Sequence, residues 1–116
     1  MAAYKDIQIK WTSKKTGRRY EAVSFLGEGE SSDEMFSRAD GENGGAIGEE
    51  DEALLRQDFD DLPKELQPYH LFTNRRDPDS SRYVSCFAFD DGRWDQGYLL
   101  LGYPWDDHSL VVRRCP

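Results

Sequence analysis

The sequence has few of the residues that form disulfides or bind metal ions. Its 116 residues include only two cysteines and two histidines, and the cysteines lack the spacing of a zinc or redox site. We therefore expect a protein of the reducing cytoplasm, in which Cys86 is a small buried residue of an apolar strand and Cys115 is a candidate free thiol. A disulfide between them is the alternative if their strands are neighbours.

Long hydrophobic runs are also missing. No apolar stretch approaches the ~20 residues that a membrane-spanning helix needs, and the first residues lack the apolar run of a signal peptide. A net charge of −8 at pH 7 argues against an anionic membrane surface and against direct nucleic-acid binding. We expect neither as a partner.

Motifs of the common enzyme classes are absent as well. There is no G-x-S-x-G nucleophile elbow, no Walker-type glycine loop and no H-E-x-x-H zinc motif. We expect a protein that is not an enzyme and that uses no cofactor and no metal. The alternative is a divalent ion held by side chains without paired spacing, namely His70, Asp106, Asp107 and His108.

Negative charge is what the sequence has in excess, and it is concentrated in the middle third. Residues 28–65 hold fourteen acidic and three basic side chains, whereas residues 1–27 hold two acidic and six basic ones. Such segregation costs self-repulsion and is not required for folding. It predicts a surface that meets a positively charged partner.

The hydrophobic periodicity predicts a single α+β domain over residues 1–116. Alternating apolar residues predict a hairpin of two strands at 6–12 and 19–26, with a basic tip. Three or four further strands are predicted as a β-meander after Pro68, with a hairpin turn at Asp91-Gly92. We expect a mainly antiparallel sheet of five or six strands, built from the N-terminal hairpin and the C-terminal meander.

One main helix is predicted over about 49–62 and is expected to pack on one face of the sheet. Leu55, Phe59 and Leu62 recur at i, i+4 and i+7, which is the spacing of a core stripe. Residues 27–48 are predicted to form a long, flexible, acidic insert, because they combine six glycines with many acidic side chains.

Carboxylates of the predicted helix are the main candidate for partner binding. The first-turn acids favour the positive helix N-terminus, but Asp60 and Asp61 lie at the opposite end, where the dipole disfavours them. Structural roles for the latter two are the alternative, with Asp61 as a cap and Asp60 simply solvated. The predicted partner-binding residues are Glu49, Glu50, Glu52, Asp58, Asp60 and Asp61, with Trp105 as an aromatic anchor.

These features predict a small acidic protein-interaction module that occupies a basic site on another protein. An inhibitor or nucleic-acid mimic of the kind used in phage or mobile-element anti-defence or immunity has this profile, and the target would then be a nucleic-acid-binding protein. The alternative is an accessory subunit that associates with a partner or a second copy through an aromatic sheet face formed by Tyr83, Phe87, Phe89, Tyr98 and Tyr103.

Basic side chains of the N-terminal hairpin have three interpretations. They could contact phosphates, although no aromatic residues are interleaved with them in a base-stacking pattern. Lysine and arginine commonly protect exposed sheet edges from aggregation, and an internal role in neutralising the acidic segment is the alternative. The hairpin residues concerned are Lys14, Lys15, Arg18 and Arg19.

Overall fold

A computed structural model describes residues 7–24, 47–100 and 108–115 of the chain. These residues form six strands, one α-helix and two short 3₁₀ helices. The strands are β1 (Ile7–Thr12), β2 (Arg19–Ser24), β3 (His70–Asp77), β4 (Ser80–Asp90), β5 (Arg93–Leu100) and β6 (Ser109–Arg114). Helix α1 spans Glu49–Gln57, and the 3₁₀ helices span Phe59–Asp61 and Lys64–Leu66.

All six strands belong to one mixed sheet with the order β1-β2-β6-β3-β4-β5. The predicted α+β class and the N-terminal hairpin are confirmed. The last strand differs from the prediction, because β6 does not extend the meander. It lies between β2 and β3, antiparallel to β2 and parallel to β3, and so joins the hairpin to the β3-β4-β5 meander.

The predicted turn at Asp91-Gly92 is confirmed. Both residues have positive φ, 52° and 80°, which is the geometry of the two-residue hairpin turns that match strand twist. Strand β3 continues to Asp77 through a bulge after Phe72. In the bulge, the amide of Asn74 donates to the carbonyl of Ile47 at 2.7 Å.

Helix α1 is shorter than the predicted helix and ends at Gln57. The next residue, the buried Asp58, has a non-helical backbone conformation, with φ −99° and ψ 6°, and the chain changes direction at this residue. The predicted stripe nevertheless forms. Leu55, Leu62 and Leu66 are buried, and Phe59 packs against the same core.

The core lies between α1 and one face of the sheet. The strands contribute Tyr20, Ala22, Leu71, Phe87, Trp94, Leu110 and Val112 to it. The other sheet face is also buried at its centre, at Val23, Phe72, Val84, Cys86 and Val111. There, Glu21 and Arg113 form an ion pair at 3.4 Å in which each side chain is 1% exposed, and Gln8 donates to Glu21 at 2.9 Å.

Several predictions fall outside the described residues. They concern most of the insert, at 27–46, and the side chains of Tyr103, Trp105, Asp106 and Asp107. Cys86 and Cys115 are both described, and no disulfide joins them. Over the described ranges, no helix combines the length and apolarity needed to cross a bilayer.

Candidate functional site

The acidic residues of α1 divide into an exposed pair and a buried pair. Glu49 and Glu50 are exposed, whereas Asp51 is 7% and Glu52 0% exposed. Residues 51, 52 and 55 lie within one turn on the side that faces the sheet, so two of the four first-turn carboxylates point inward. Glu52 was predicted to contact a partner, but its burial removes it from the surface.

Asp51 joins three elements through its carboxylate. It accepts hydrogen bonds from Arg18 Nη1 at 2.8 Å, Tyr20 Oη at 3.0 Å and Arg114 Nε at 2.8 Å. Burial acts to raise the pKa of Asp51, but hydrogen bonds from Arg114, Tyr20 and Arg18 outweigh it and leave this pKa below its usual value. Asp51 therefore ties α1 to β2 and β6 as an ionised group.

Glu52 is held by the bulge of β3. Thr73 Oγ1 donates to Glu52 Oε1 at 2.8 Å, and Arg75 Nη1 donates to Glu52 Oε2. The hydrogen bond from Arg75 to Glu52 raises the pKa of the guanidinium. Arg56 approaches the same oxygen at 3.7 Å. Because a buried carboxylate needs such donors to remain charged, Glu52 has a structural role.

Asp58 and Asp61 face the tip of the β1–β2 hairpin. Asp58 is 2% exposed and accepts a hydrogen bond from Ser13 Oγ, so this predicted partner-binding residue is also buried. Asp61 is exposed and pairs with Lys14 at 3.3 Å. With the Arg18–Asp51 pair, these contacts show that the basic hairpin neutralises part of the acidic segment.

An aromatic cleft of about 360 Å³ lies between the region of the two 3₁₀ helices, residues 59–67, and the β4–β5 hairpin. Phe59 contacts Phe87 edge-on at 5.1 Å and lies 6.3 Å from Trp94, measured between ring centroids. Phe89 packs edge-on against Trp94 at 5.5 Å. The cleft is lined by Phe59, Asp60, Leu62, Lys64, Gln67, Phe89, Gly92, Arg93 and Trp94.

The two segments that form the cleft carry an acidic rim. Exposed carboxylates outnumber exposed cations by six to two in residues 59–67 and 89–95. Two of the carboxylates are neutralised, Asp61 by Lys14 and Asp95 by Arg93 at 3.3 Å. We call the carboxylates of these segments that flank the cleft, Asp60, Asp61, Glu65, Asp90 and Asp91, the acidic rim. Asp95 lines a separate hollow on the opposite side of β5. The charged residues that line the cleft itself are Asp60, Lys64 and Arg93. Among the described residues, no ion pair involves Asp60, Glu65, Asp90 or Asp91.

The aromatic sheet face of the alternative prediction is largely occupied within the chain. Phe87 is fully buried under Phe59, and Arg56 lies over its ring at 5.7 Å. Phe89 packs on Trp94. Among the members of this face that the structure describes, Tyr83 is 40% exposed, and Phe89 and Tyr98 are half-buried. Tyr103 lies outside the described residues, so association through this face stays a prediction.

The alternative metal site receives no support from the residues that are described. Within ranges 7–24, 47–100 and 108–115, no group of three or more His, Cys, Asp or Glu side chains is arranged to hold an ion. The backbone amide of His70 donates to the carbonyl of His108 at 2.6 Å, so these two residues are neighbours across the β3–β6 pair.

The cleft is not predictable from the sequence pattern. Helical spacing predicts Phe59 in a core stripe and strand alternation predicts Phe89 on a sheet face, and neither pattern predicts a role for Trp94. A signal was present, because carboxylates flank aromatic residues both at Phe59-Asp60-Asp61 and at Phe89-Asp90-Asp91. Local periodicity does not show that these two short stretches meet.

No protein-family model matches this chain, and neither a curated protein nor a solved structure is significantly similar to it.

Proposed function

We propose that this protein is a small interaction module that binds a basic segment of another protein in the aromatic cleft. The observation that supports the proposal is an aromatic cleft formed by two segments in which exposed carboxylates outnumber exposed cations. Aromatic faces attract lysine and arginine cations, and rim carboxylates steer them and select among partners. The module acts by occupying a site and needs no catalytic step.

The exposed members of the predicted set fit this proposal in different ways. Asp60 lines the cleft, and Asp61 is the next residue. Glu49 and Glu50 lie at the other end of α1, a helix about 13 Å long at 1.5 Å per residue, and so are farther along the surface from the cleft. Phe59, Phe89 and Trp94 supply the aromatic anchor predicted at Trp105. An inhibitor of a nucleic-acid-handling protein remains one form of this function. Regular mimicry of phosphates loses support, because Asp51, Glu52 and Asp58 are buried.

A nonaarginine peptide is a suitable probe, and Trp94 fluorescence with isothermal titration reports its binding. The double variant Asp60→Lys/Glu65→Lys reverses two unpaired rim charges and should weaken binding about tenfold or more, since charged contacts contribute roughly 1.5–3 kcal/mol each when partly desolvated. The double variant Glu49→Lys/Glu50→Lys tests the start of α1 in the same way.

The matched control is Asp79→Lys/Asp77→Lys, which makes the same charge change in the β3–β4 turn. Asp79 is exposed and lies outside the cleft. The control should retain binding within about threefold, which allows for long-range attraction. Equal weakening by rim and control variants would show that the peptide senses only net charge and would overturn the proposal.

A further inference from the structure

A second cavity, of about 370 Å³, opens where β2 and β6 meet and shares no lining residue with the aromatic cleft. It is lined by Arg18, Arg19, Arg114 and Cys115. Tyr20 is paired with Arg114 across the two strands, and the Cys115 amide donates to the Arg19 carbonyl at 2.9 Å. The strand pairing thus brings three guanidinium-bearing residues to one place.

Asp51 orients two of these guanidinium groups. It receives one hydrogen bond from Arg18, and Arg114 holds it through both Nε at 2.8 Å and Nη2 at 2.6 Å. Each guanidinium has five N–H donors, so both retain donors for a second anion. Arg19 adds a third guanidinium group to the lining of this cavity.

A smaller hollow of about 190 Å³ adjoins this cavity, because Arg19 and Cys115 line both. It adds the cation of Lys10 and the hydroxyl group of Thr12. Burial, with Glu21 nearby, raises the pKa of the Cys115 thiol. The thiol is therefore neutral at pH 7 and does not repel an anion.

We propose that the cavity lined by Arg18, Arg19 and Arg114 binds a small phosphate-bearing ligand with two adjacent phosphoryl groups. Planar guanidinium groups match phosphate oxygens in pairs, and Lys10 in the adjoining hollow supplies a further cation for a second phosphoryl group. This site is independent of the function proposed for the aromatic cleft.

Isothermal titration of the full chain with sodium pyrophosphate at constant ionic strength tests this site. Saturable one-to-one binding is expected, and Arg19→Gln should weaken it about tenfold, the effect of one charged hydrogen-bonding partner. The control is Lys15→Gln, an exposed cation of the same hairpin that does not line the cavity. It should leave the Kd within about twofold, as a distant screened charge would.

Alkylation of Cys115 gives a second measurement that does not depend on an arginine variant. In a Cys86→Ala background, bound pyrophosphate should slow the reaction of Cys115 with the neutral reagent N-ethylmaleimide several-fold, because the thiol lines the same cavity. Absence of saturable binding at millimolar pyrophosphate would overturn the proposal, as would equal weakening in both variants. Protection of Cys115 by a short oligothymidine but not by pyrophosphate would also overturn it, in favour of a nucleic-acid backbone.

Discussion

Hydrogen bonds from three parts of the described structure converge on Asp51. Its carboxylate receives hydrogen bonds from the turn before β2, from β2 and from β6, although the residue itself is only 7% exposed. Burial alone would favour the protonated form. The lowered pKa shows that the donors prevail, so the ionised form of Asp51 stabilises the folded state.

Replacing Asp51 by asparagine should lower the free energy of unfolding at pH 7 by about 2 kcal/mol, because Arg18 and Arg114 would lose a charged partner. The pKa of Asp51 is lower in the folded protein than in the unfolded chain, where it is about 3.9. The stabilisation is therefore complete above that value and is lost as the pH falls through the folded pKa. Urea unfolding at several pH values should show the gap between wild type and Asp51→Asn closing below about pH 4.

Glu50→Gln is the matched control, since Glu50 lies in the same helical turn and is exposed. It should cost less than about 1 kcal/mol, the range of a helix-dipole effect. Similar losses for the two variants would show that the Asp51 network adds no stability of its own.

The division of first-turn acids into buried and exposed pairs was only partly predictable from the sequence. Asp51 and Glu52 precede Leu55 by four and three residues, so periodicity places them beside the core stripe. Their partners are distant in sequence: Arg114 follows Asp51 by 63 residues and Thr73 follows Glu52 by 21. Helical spacing predicts that the side chains of Asp51 and Glu52 point toward the core, but it cannot show that hydrogen-bond donors from distant parts of the chain lie there.

At the scale of elements, the cleft depends on the β4–β5 hairpin turn. Gly92 lines the cleft and joins the strands that carry Phe89 and Trp94. Its φ of +80° is a conformation that side chains with a Cβ adopt at a cost. The turn therefore fixes one wall of the proposed binding site.

Gly92→Ala should lower the free energy of unfolding by about 1–2 kcal/mol, the cost of left-handed backbone for an L-residue. Gly97→Ala is the control on the neighbouring strand, where φ is not positive and no atom lies within 4 Å of the added Cβ. It should be neutral or slightly stabilising, because alanine reduces the entropy of the unfolded chain. Thermal unfolding checks both variants, and equal destabilisation would contradict the role given to the turn.

Elements with local signals were predicted well, and elements set by distant pairing were not. The β1–β2 hairpin and the Asp91-Gly92 turn follow from alternation and turn chemistry within a few residues. The end of α1 at Gln57 depends on Asp58 meeting Ser13, 45 residues earlier. The position of β6 in the sheet depends on pairing with β2, about 90 residues earlier in the sequence, and with β3, about 40 residues earlier.

At the scale of the whole molecule, the negative charge is unevenly distributed. The described residues hold fourteen acidic and thirteen basic side chains, which leaves seven of the eight net negative charges to the rest of the sequence. The described body is therefore nearly neutral, with a cationic cavity beside β2 and β6 and an acidic rim around the cleft. Partner selection by this body depends on local charge and not on the total.

The topology makes β6 the link between the two halves of the sheet. Without it, the β1–β2 hairpin and the β3-β4-β5 meander would share no strand pairing, and an isolated hairpin is at best marginally stable in water. Asp51 adds a second connection, because it joins α1 to both β2 and β6. The two halves should therefore unfold together.

Single-tryptophan variants test this cooperativity, because Trp11 lies in β1 and Trp94 in β5. One variant retains Trp11 and the other Trp94, with the remaining tryptophans replaced by phenylalanine. Within each variant, the urea midpoint from tryptophan fluorescence should equal the midpoint from far-ultraviolet circular dichroism, as two-state unfolding requires. A Trp11 transition at lower urea than the loss of total secondary structure would mean that the hairpin detaches first and that β6 does not couple the halves.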